Sequence, residues 1–353
     1  MPSVLAVAKY ALSMGKRHII RNLIFGRRIR FMTPRLYNGI EEVAGNTPLV
    51  RLPRWEAAHE VKGVKIFAKL ESFNPGGSAK DRTAAALVKD AKASGRLKPG
   101  TMVIESSSGN LGIALARQAI LEDFEFHCVV DPRTNQSTLG LIQAYGGVLH
   151  PVTEPDPETN DWLTARKNKV RELLEENPGS INLDQYSNQA AFTAHSEGTM
   201  SEIFDALGHA PSRVYVAVST TGTVGGCIAE VAKRGADTQV IAVDAEGSVL
   251  YGGARGERLL PGYGAGVITE LSTRQTPTGT RRVDALDAVK SARELGQTEA
   301  IVPGASGGAV MAALAADAPS FEEGEEIVVV LHDGGMPYAG TIYNDEWVQE
   351  NLH

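Results

Sequence analysis

The sequence predicts an α/β protein built on parallel sheet, and three observations carry that reading. Seven short runs rich in β-branched and apolar residues recur along the chain from about Thr47 onward. Alanine-rich segments of ten to seventeen residues alternate with them. Several of the turns leading from run into helix are rich in glycine and hydroxyl residues. Strands that are apolar throughout are buried on both faces, and the helices between them supply the crossovers that parallel neighbours need.

Taken in order, the expected strands are KIFAKL (65–70), TMVIES (101–106), FEFHCVV (124–130), GGVLHPV (146–152), RVYVAVS (213–219), TQVIAVDA (238–245) and EIVVVLHD (326–333). The expected helices are RTAAALVKDAKASG, NLGIALARQAILE, STLGLIQAYG, DWLTARKNKVRELLEEN, GTVGGCIAEVAKRG and SGGAVMAALAADA. A length of 353 residues suits two domains. A seam is expected near NLDQYSNQAAF (182–192), where polar and amide residues interrupt the strand–helix rhythm. That gives an N-terminal α/β domain over 41–187 and a C-terminal one over 188–347, with no internal repeat or low-complexity linker.

Composition narrows the function. A hydrophobic content of 42% and a charged content of 22% are those of a soluble globular protein. The net charge of −7 speaks against general nucleic-acid binding, which needs a basic face to neutralise phosphates. Cys128 and Cys227 sit in apolar runs without a Cys or His at metal-ligand spacing, so both read as reduced core residues of a cytoplasmic protein. No apolar run approaches the roughly 20 residues that span a bilayer. Residues 1–40 form a basic arm with eight Lys or Arg and no acid. The arm reads either as an amphipathic segment docking on the acidic body or a partner subunit, or as a targeting or membrane-surface segment.

Four places could carry chemistry. In ESSSGNLGIALA (105–116), Ser106, Ser107, Ser108, Gly109 and Asn110 lie between a strand and a helix. Such a turn aims backbone N–H groups and hydroxyls at one point, which suits a carboxylate or phosphate; a plain helix cap needs only one of the three serines. In VSTTGTVGG (218–226), Ser219, Thr220, Thr221, Gly222 and Thr223 again precede a helix, a donor set suited to a phosphate monoester. It lacks the Gly-Lys-Ser/Thr of a nucleotide-binding loop and the glycine spacing of a dinucleotide fold. In PGASGGAV (303–310), Ser306 opens a third helix, where an ordinary cap explains it on position alone.

The fourth place is Lys80 in ESFNPGGSAKDRTAAALVKDA. A lysine in the first turn of a helix meets the positive end of the dipole, which lowers its pKa and favours the neutral amine that Schiff-base chemistry needs. Asp81 and Arg82 are expected to brace the turn. A lysine without an obvious acid partner, a phosphate-monoester loop and a carboxylate loop together match the needs of pyridoxal 5′-phosphate catalysis.

NPGGSAKDR (74–82), SSSGNLGIALA (106–116), STTGT (219–223), DAEGS (244–248), PGYGAG (261–266) and GASGG (304–308) follow one another in an order that resembles the fold-type II pyridoxal-phosphate enzymes, the group of cysteine synthase and cystathionine β-synthase. The resemblance covers about residues 40 to 347. It implies two open twisted-sheet α/β domains, as in the tryptophan synthase β chain, with the active site in the cleft between them, and a homodimer. It implies Lys80 as the Schiff-base lysine, Asn110 on the phenolic oxygen of the ring and Ser219 to Thr223 on the phosphate. Ser306 would meet the pyridine nitrogen; a neutral serine there suits α,β-elimination over transamination. Ser107, Ser108 and Gln185 would hold the substrate carboxylate, with Tyr186 beside them either orienting substrate or packing the seam.

Departures from the pattern narrow the choice. Leu111 replaces the second threonine of the usual Thr-Ser-Gly-Asn-Thr-Gly. Ser219 and Thr221 stand at two glycine positions of the phosphate loop, and LHDGGMPY (331–338) lacks the arginine often found beside the tyrosine. ESSSGNLGIALA, VVDPRTN, VSTTGT, VDAEGSVLYG, RLLPGYGA and IYNDEWVQE are most similar to the branch that makes N-(2-amino-2-carboxyethyl)-L-glutamate, a siderophore-pathway precursor of 2,3-diaminopropionate. That branch implies O-phospho-L-serine and L-glutamate as substrates, joined through an α-aminoacrylate. A leaving phosphate needs a fixed cation, for which Arg258 is the first candidate and Arg133 the second, a surface role being the plain alternative for each. Two other readings stay open: a cysteine synthase using O-acetyl- or O-phosphoserine with sulfide, and a non-catalytic binding or regulatory protein on the same fold. The intact Lys80, Asn110 and Ser306 argue against the last.

Overall fold

The strands of the computed structural model are β1 (Leu49–Arg51), β2 (Lys65–Leu70), β3 (Met102–Ser106), β4 (Glu125–Val130), β5 (Val148–Pro151), β6 (Arg213–Ala217), β7 (Gln239–Ala245), β8 (Gly279–Val283) and β9 (Glu326–Leu331). The helices are α1 (Pro53–Ala58), α2 (Lys80–Ala93), α3 (Asn110–Glu122), α4 (Gln136–Ala144), α5 (Trp162–Glu176), α6 (Ala190–Ala194), α7 (Ser201–Leu207), α8 (Gly222–Arg234), α9 (Ala285–Glu299), α10 (Ala305–Asp317) and α11 (Asp345–Asn351). A π-helical turn, His195–Met200, joins α6 to α7. The structure describes residues 36–352 except 108. The basic arm up to position 35 and the expected substrate contact Ser108 therefore lie outside the described residues.

Six strands form one sheet in the order β1-β2-β9-β6-β7-β8, and three form a second in the order β3-β4-β5. Every neighbouring pair is parallel except β1 with β2. The period of two along each strand explains the covering of both faces. On β9, Ile327, Val329 and Leu331 enter the core that α9 and α10 share, whereas Val328 and Val330 enter the core beneath α8 and α7. On the smaller sheet, Val103, Phe126 and Cys128 pack under α2 and α3, and Ile104 and Val129 pack under α5.

All seven expected strands are present, and the six expected helices agree to within two residues at either end. The expected seam lacks regular secondary structure over 182–189, but from Ala190 to Leu207 the chain is continuously helical, with the polar side chains His195, Ser196 and Thr199 buried and bonded within the protein. Strands β1 and β8 carry too few apolar residues to stand out, and both are sheet edges. A cut between residues 187 and 188 does not separate the sheets, since β1 and β2 precede it and belong to the larger one. Residues Ile40–His353 form one compact unit.

Candidate active site

In open parallel sheets the loops after the strands converge at the carboxyl ends. Here the segments following β2, β3, β6, β7 and β9 all line one cavity of about 350 Å³. Lys80, Asn110, Ser219, Thr220, Thr221, Gly222, Thr223 and Ser306 face it, as do Ser107, Gln185, Tyr186, Arg133 and Arg258. Residues from both sheets contribute, so the cavity lies between them.

The turn before Lys80 is held by its own side chains. Asn74 donates to the Glu71 carbonyl and carboxylate, both at 2.8 Å, and accepts from the Gly45 N–H at 2.8 Å. Asp81 accepts from the Gly76 N–H at 2.6 Å and pairs with Arg117 at 2.6 Å. A Cβ on Gly76 would stand 2.6 Å from that carboxylate, and Gly77 has a φ of +79°, so the two glycines have different reasons to be there. Arg82 is buried against Glu71 and Glu202, with contacts of 2.7 and 2.6 Å. Asp81 and Arg82 thus brace the turn. Burial lowers the Lys80 pKa, partly opposed by the carboxylate of Asp333.

Ser107 fills the plain capping role that one of the three serines was expected to take. Its Oγ accepts from the Gly112 N–H at 2.9 Å and so caps the start of α3, where the N-cap itself is Gly109. Asn110, the first residue of α3, donates to Asp333 Oδ2 at 2.8 Å, and the Tyr338 hydroxyl donates to the same oxygen at 2.9 Å. Asp333 is a site residue that sequence reading missed; an acid two residues past an apolar strand in LHDGGMPY was the available signal.

The loop after β6 is strained where it meets α8. Thr221, the N-cap, has a φ of +70°, a conformation that costs a β-branched residue about 1–2 kcal/mol. Its Oγ1 is buried without a protein partner among the described residues. Thr223 Oγ1 lies 3.3 Å from Nε2 of the buried His195, whose Nδ1 lies 3.0 Å from Thr199 Oγ1. Burial holds His195 well below the usual histidine range, with Lys80 and Arg82 adding to the effect, so the ring is neutral. Ser306 is buried in the first turn of α10, and its hydroxyl has no protein hydrogen bond among the described residues.

At the other end of the cavity the cations differ in their partners. Arg133 is committed to Asp131, at 3.1 Å, and lies over the Trp162 ring, its guanidinium 5.4 Å from the centroid. Buried Arg166, not foreseen from the sequence, sits 3.2 Å from the same carboxylate, although its Nε is not aligned for a hydrogen bond. Arg258 has no ion pair or hydrogen bond among the described residues, with Asp161 as its nearest supporting charge across Gly266. Gln185 is buried and donates to the Ser106 carbonyl at 2.9 Å. Burial pushes the Tyr186 hydroxyl up to about 12, so it remains a neutral donor.

These features define an α/β enzyme site with a buried amine and a hydroxyl-lined helix start. The family model described as "Pyridoxal-phosphate dependent enzyme" matches residues 40–333, and the chain belongs to that family. It is 38% identical over 309 residues to the N-(2-amino-2-carboxyethyl)-L-glutamate synthase of Ralstonia nicotianae, covering 88% of this chain and 90% of that one. Among solved structures it is similar to O-ureido-L-serine synthase, with a TM-score of 0.79 and 30% identity over 89% of this chain and 100% of the other. An O-acetylserine-dependent cystathionine β-synthase from Helicobacter pylori gives a TM-score of 0.80 and 25% identity over 88% of this chain and 100% of the other. The fold is accordingly that of the fold-type II enzymes.

Family members use pyridoxal 5′-phosphate, and the residues present fit it. Thr221 Oγ1 is an orphaned buried hydroxyl at the N-terminus of a 13-residue helix, where a phosphate is favoured by both donors and dipole. The Lys80 amine and the unbonded Ser306 hydroxyl face the same space.

Proposed function

We propose that this protein catalyses a β-replacement in which O-phospho-L-serine and L-glutamate give N-(2-amino-2-carboxyethyl)-L-glutamate and phosphate. The observation that carries the reading is Arg258: an arginine without an ion pair or hydrogen bond among the described residues faces the same cavity as a lysine whose pKa burial has lowered. The name of the Ralstonia nicotianae relative supports the product.

When bound, pyridoxal phosphate supplies the electron sink that makes Cα–H bonds of an amino acid acidic. Ser219, Thr220, Thr221, Gly222 and Thr223 would hold its phosphate, Asn110 its phenolic oxygen and Ser306 its ring nitrogen. Lys80, as a neutral amine, takes the proton from Cα and returns it once the new Cβ–N bond has formed. Ser107 and Gln185 hold the substrate carboxylate, and Tyr186 orients it. Arg258 stabilises the phosphate that departs with the electron pair of the Cβ–O bond. Arg133, already paired with Asp131, borders the same pocket and has the smaller part. Ser108 completes the carboxylate loop by sequence. The proposal includes a cytoplasmic homodimer, for which the two free, buried cysteines support a reducing setting. Among the described residues no helix is long and apolar enough to cross a membrane.

The test is a substrate-pair assay. Protein reconstituted with pyridoxal phosphate is given O-phosphoserine with glutamate or with sulfide, and phosphate release and product mass are followed. Glutamate-dependent release with the expected product mass supports the reading. Release that follows sulfide and ignores glutamate would replace it with a cysteine synthase.

A further inference from the structure

We infer that Asp333 is a positioning residue, which aims the Asn110 amide into the cavity and keeps a negative charge beside Lys80. The inference rests on the reading above, that Asn110 and Lys80 engage pyridoxal phosphate.

Asp333 is 4% exposed and is held through one carboxylate oxygen and its backbone. Its Oδ2 accepts from Asn110 Nδ2 and from the Tyr338 hydroxyl, at 2.8 and 2.9 Å. Its Oδ1 is buried without a partner among the described residues and lies where a Cβ on Gly304 would stand, 2.0 Å away, so only glycine at 304 leaves room for the carboxylate. The backbone is pinned as well. Ser78 pairs with Asp333 in an antiparallel bridge, the Ala79 N–H donates to the His332 carbonyl at 2.8 Å, and the Gly304 N–H donates to the Asp333 carbonyl at 3.3 Å. One residue is therefore joined to the starts of three helices: α2 with Lys80, α3 with Asn110 and α10 with Ser306.

An asparagine amide carries two donors on nitrogen and an acceptor on oxygen. An anionic ring oxygen needs a donor, and an amide turned through 180° would offer it a carbonyl. By accepting one N–H of Asn110, Asp333 fixes the amide so that the second N–H is free for the cavity. The charge acts on Lys80 in addition. The titratable groups facing Asp333 are Lys80 from α2, and Tyr338 and Tyr343 from the segment after β9, with His332 as its chain neighbour. Burial raises both tyrosines and lowers His332 to about 3, which leaves all three neutral near pH 7. Burial raises the Asp333 carboxyl, against which the hydrogen bonds from Asn110 and Tyr338 and the nearby Lys80 act, and Lys80 carries the nitrogen whose protonation that carboxylate would favour. A carboxylate near a nitrogen that can bind a proton favours its protonated form, so removing the carboxylate lowers that nitrogen's pKa.

The experiment compares the unaltered protein with Asp333→Asn, and with Asp333→Ser if the first variant does not fold. Each is titrated with pyridoxal phosphate, and the visible absorbance of the Lys80-linked cofactor is recorded against pH. The expected result is a pH midpoint lower by about one unit or more and cofactor affinity weaker by about tenfold. A variant with an unchanged midpoint and affinity overturns the inference, even if its melting temperature falls, because a merely structural role would move only the latter. Failure of the unaltered protein to develop the band overturns the cofactor reading itself, an outcome distinguishable from the first.

Discussion

Single residues acquire their roles here through their partners more than through their type. Among the described residues Lys80 and Arg258 face the cavity without a hydrogen-bonded acid, whereas Arg133 and Arg166 share Asp131 and Arg82 is consumed by Glu71 and Glu202. Lys80→Ala should abolish the visible absorbance of protein reconstituted with pyridoxal phosphate, since the covalent link needs that amine; a persisting band at full intensity would assign the link to another lysine. Arg258→Gln should raise KM for O-phosphoserine at least tenfold and leave O-acetylserine nearly unaffected, because only the first carries a dianion. Equal losses with the two substrates would remove its proposed role. Lys80 was legible in the sequence because a lysine in a first helical turn after Asn-Pro-Gly-Gly is electrostatically out of place. Asp333 and Arg166 were not, because their importance comes from contacts with Asn110 and Asp131, distant in the chain.

The element that matters most for the phosphate loop is α8, and its setting depends on close approach. Gly225 and Gly226 let α8 lie against α6 and the π-helical turn: a Cβ on Gly226 would stand 2.5 Å from the Phe192 carbonyl and 2.6 Å from His195 Cβ. Backbone cannot yield as a side chain can, so Gly226→Ala should destabilise the protein by about 2–3 kcal/mol, read as a lower denaturant midpoint. A stability within 0.5 kcal/mol of the unaltered protein, taking about that as the limit for neutral changes, would mean that α8 can shift freely. The same contact holds the last part of the expected seam, 190–192, in a helical stretch that continues to Leu207. Its His195, Ser196 and Thr199 form a polar floor under Thr223, His195 meeting Thr199 and Thr223 and Ser196 donating to Glu230.

Across the whole molecule, a buried charge network ties the early chain to the later part. Glu202 of α7 contacts Arg82 of α2 and Lys69 of β2, each at 2.6 Å. Burial would raise the Glu202 carboxyl, but Arg82 and Lys69 outweigh it and hold it at about 2. Its folded pKa lies below its ordinary value, so its contribution is present above about pH 4.5 and is lost as pH falls toward 2. Glu202→Gln should cost roughly 3 kcal/mol at neutral pH, with the gap to the unaltered protein closing between pH 5 and pH 2. A gap independent of pH would show that the carboxylate's charge is not what stabilises the fold.

The sequence by itself determined seven of the nine strands and six of the eleven α-helices among the described residues, and the loops that bear the candidate site, since hydrophobic period and turn chemistry are local properties. It also determined the family, because motifs such as NPGGSAKDR and STTGT keep their order along the chain. Tertiary structure decided which sheet each strand joined, and it placed β2, with β1 on its outer edge, beside β9 from the far end of the chain. It decided as well which polar groups are spent on one another and which remain free for a ligand. Those outcomes depend on burial and on pairings between distant residues, and neither is written in any short stretch of sequence.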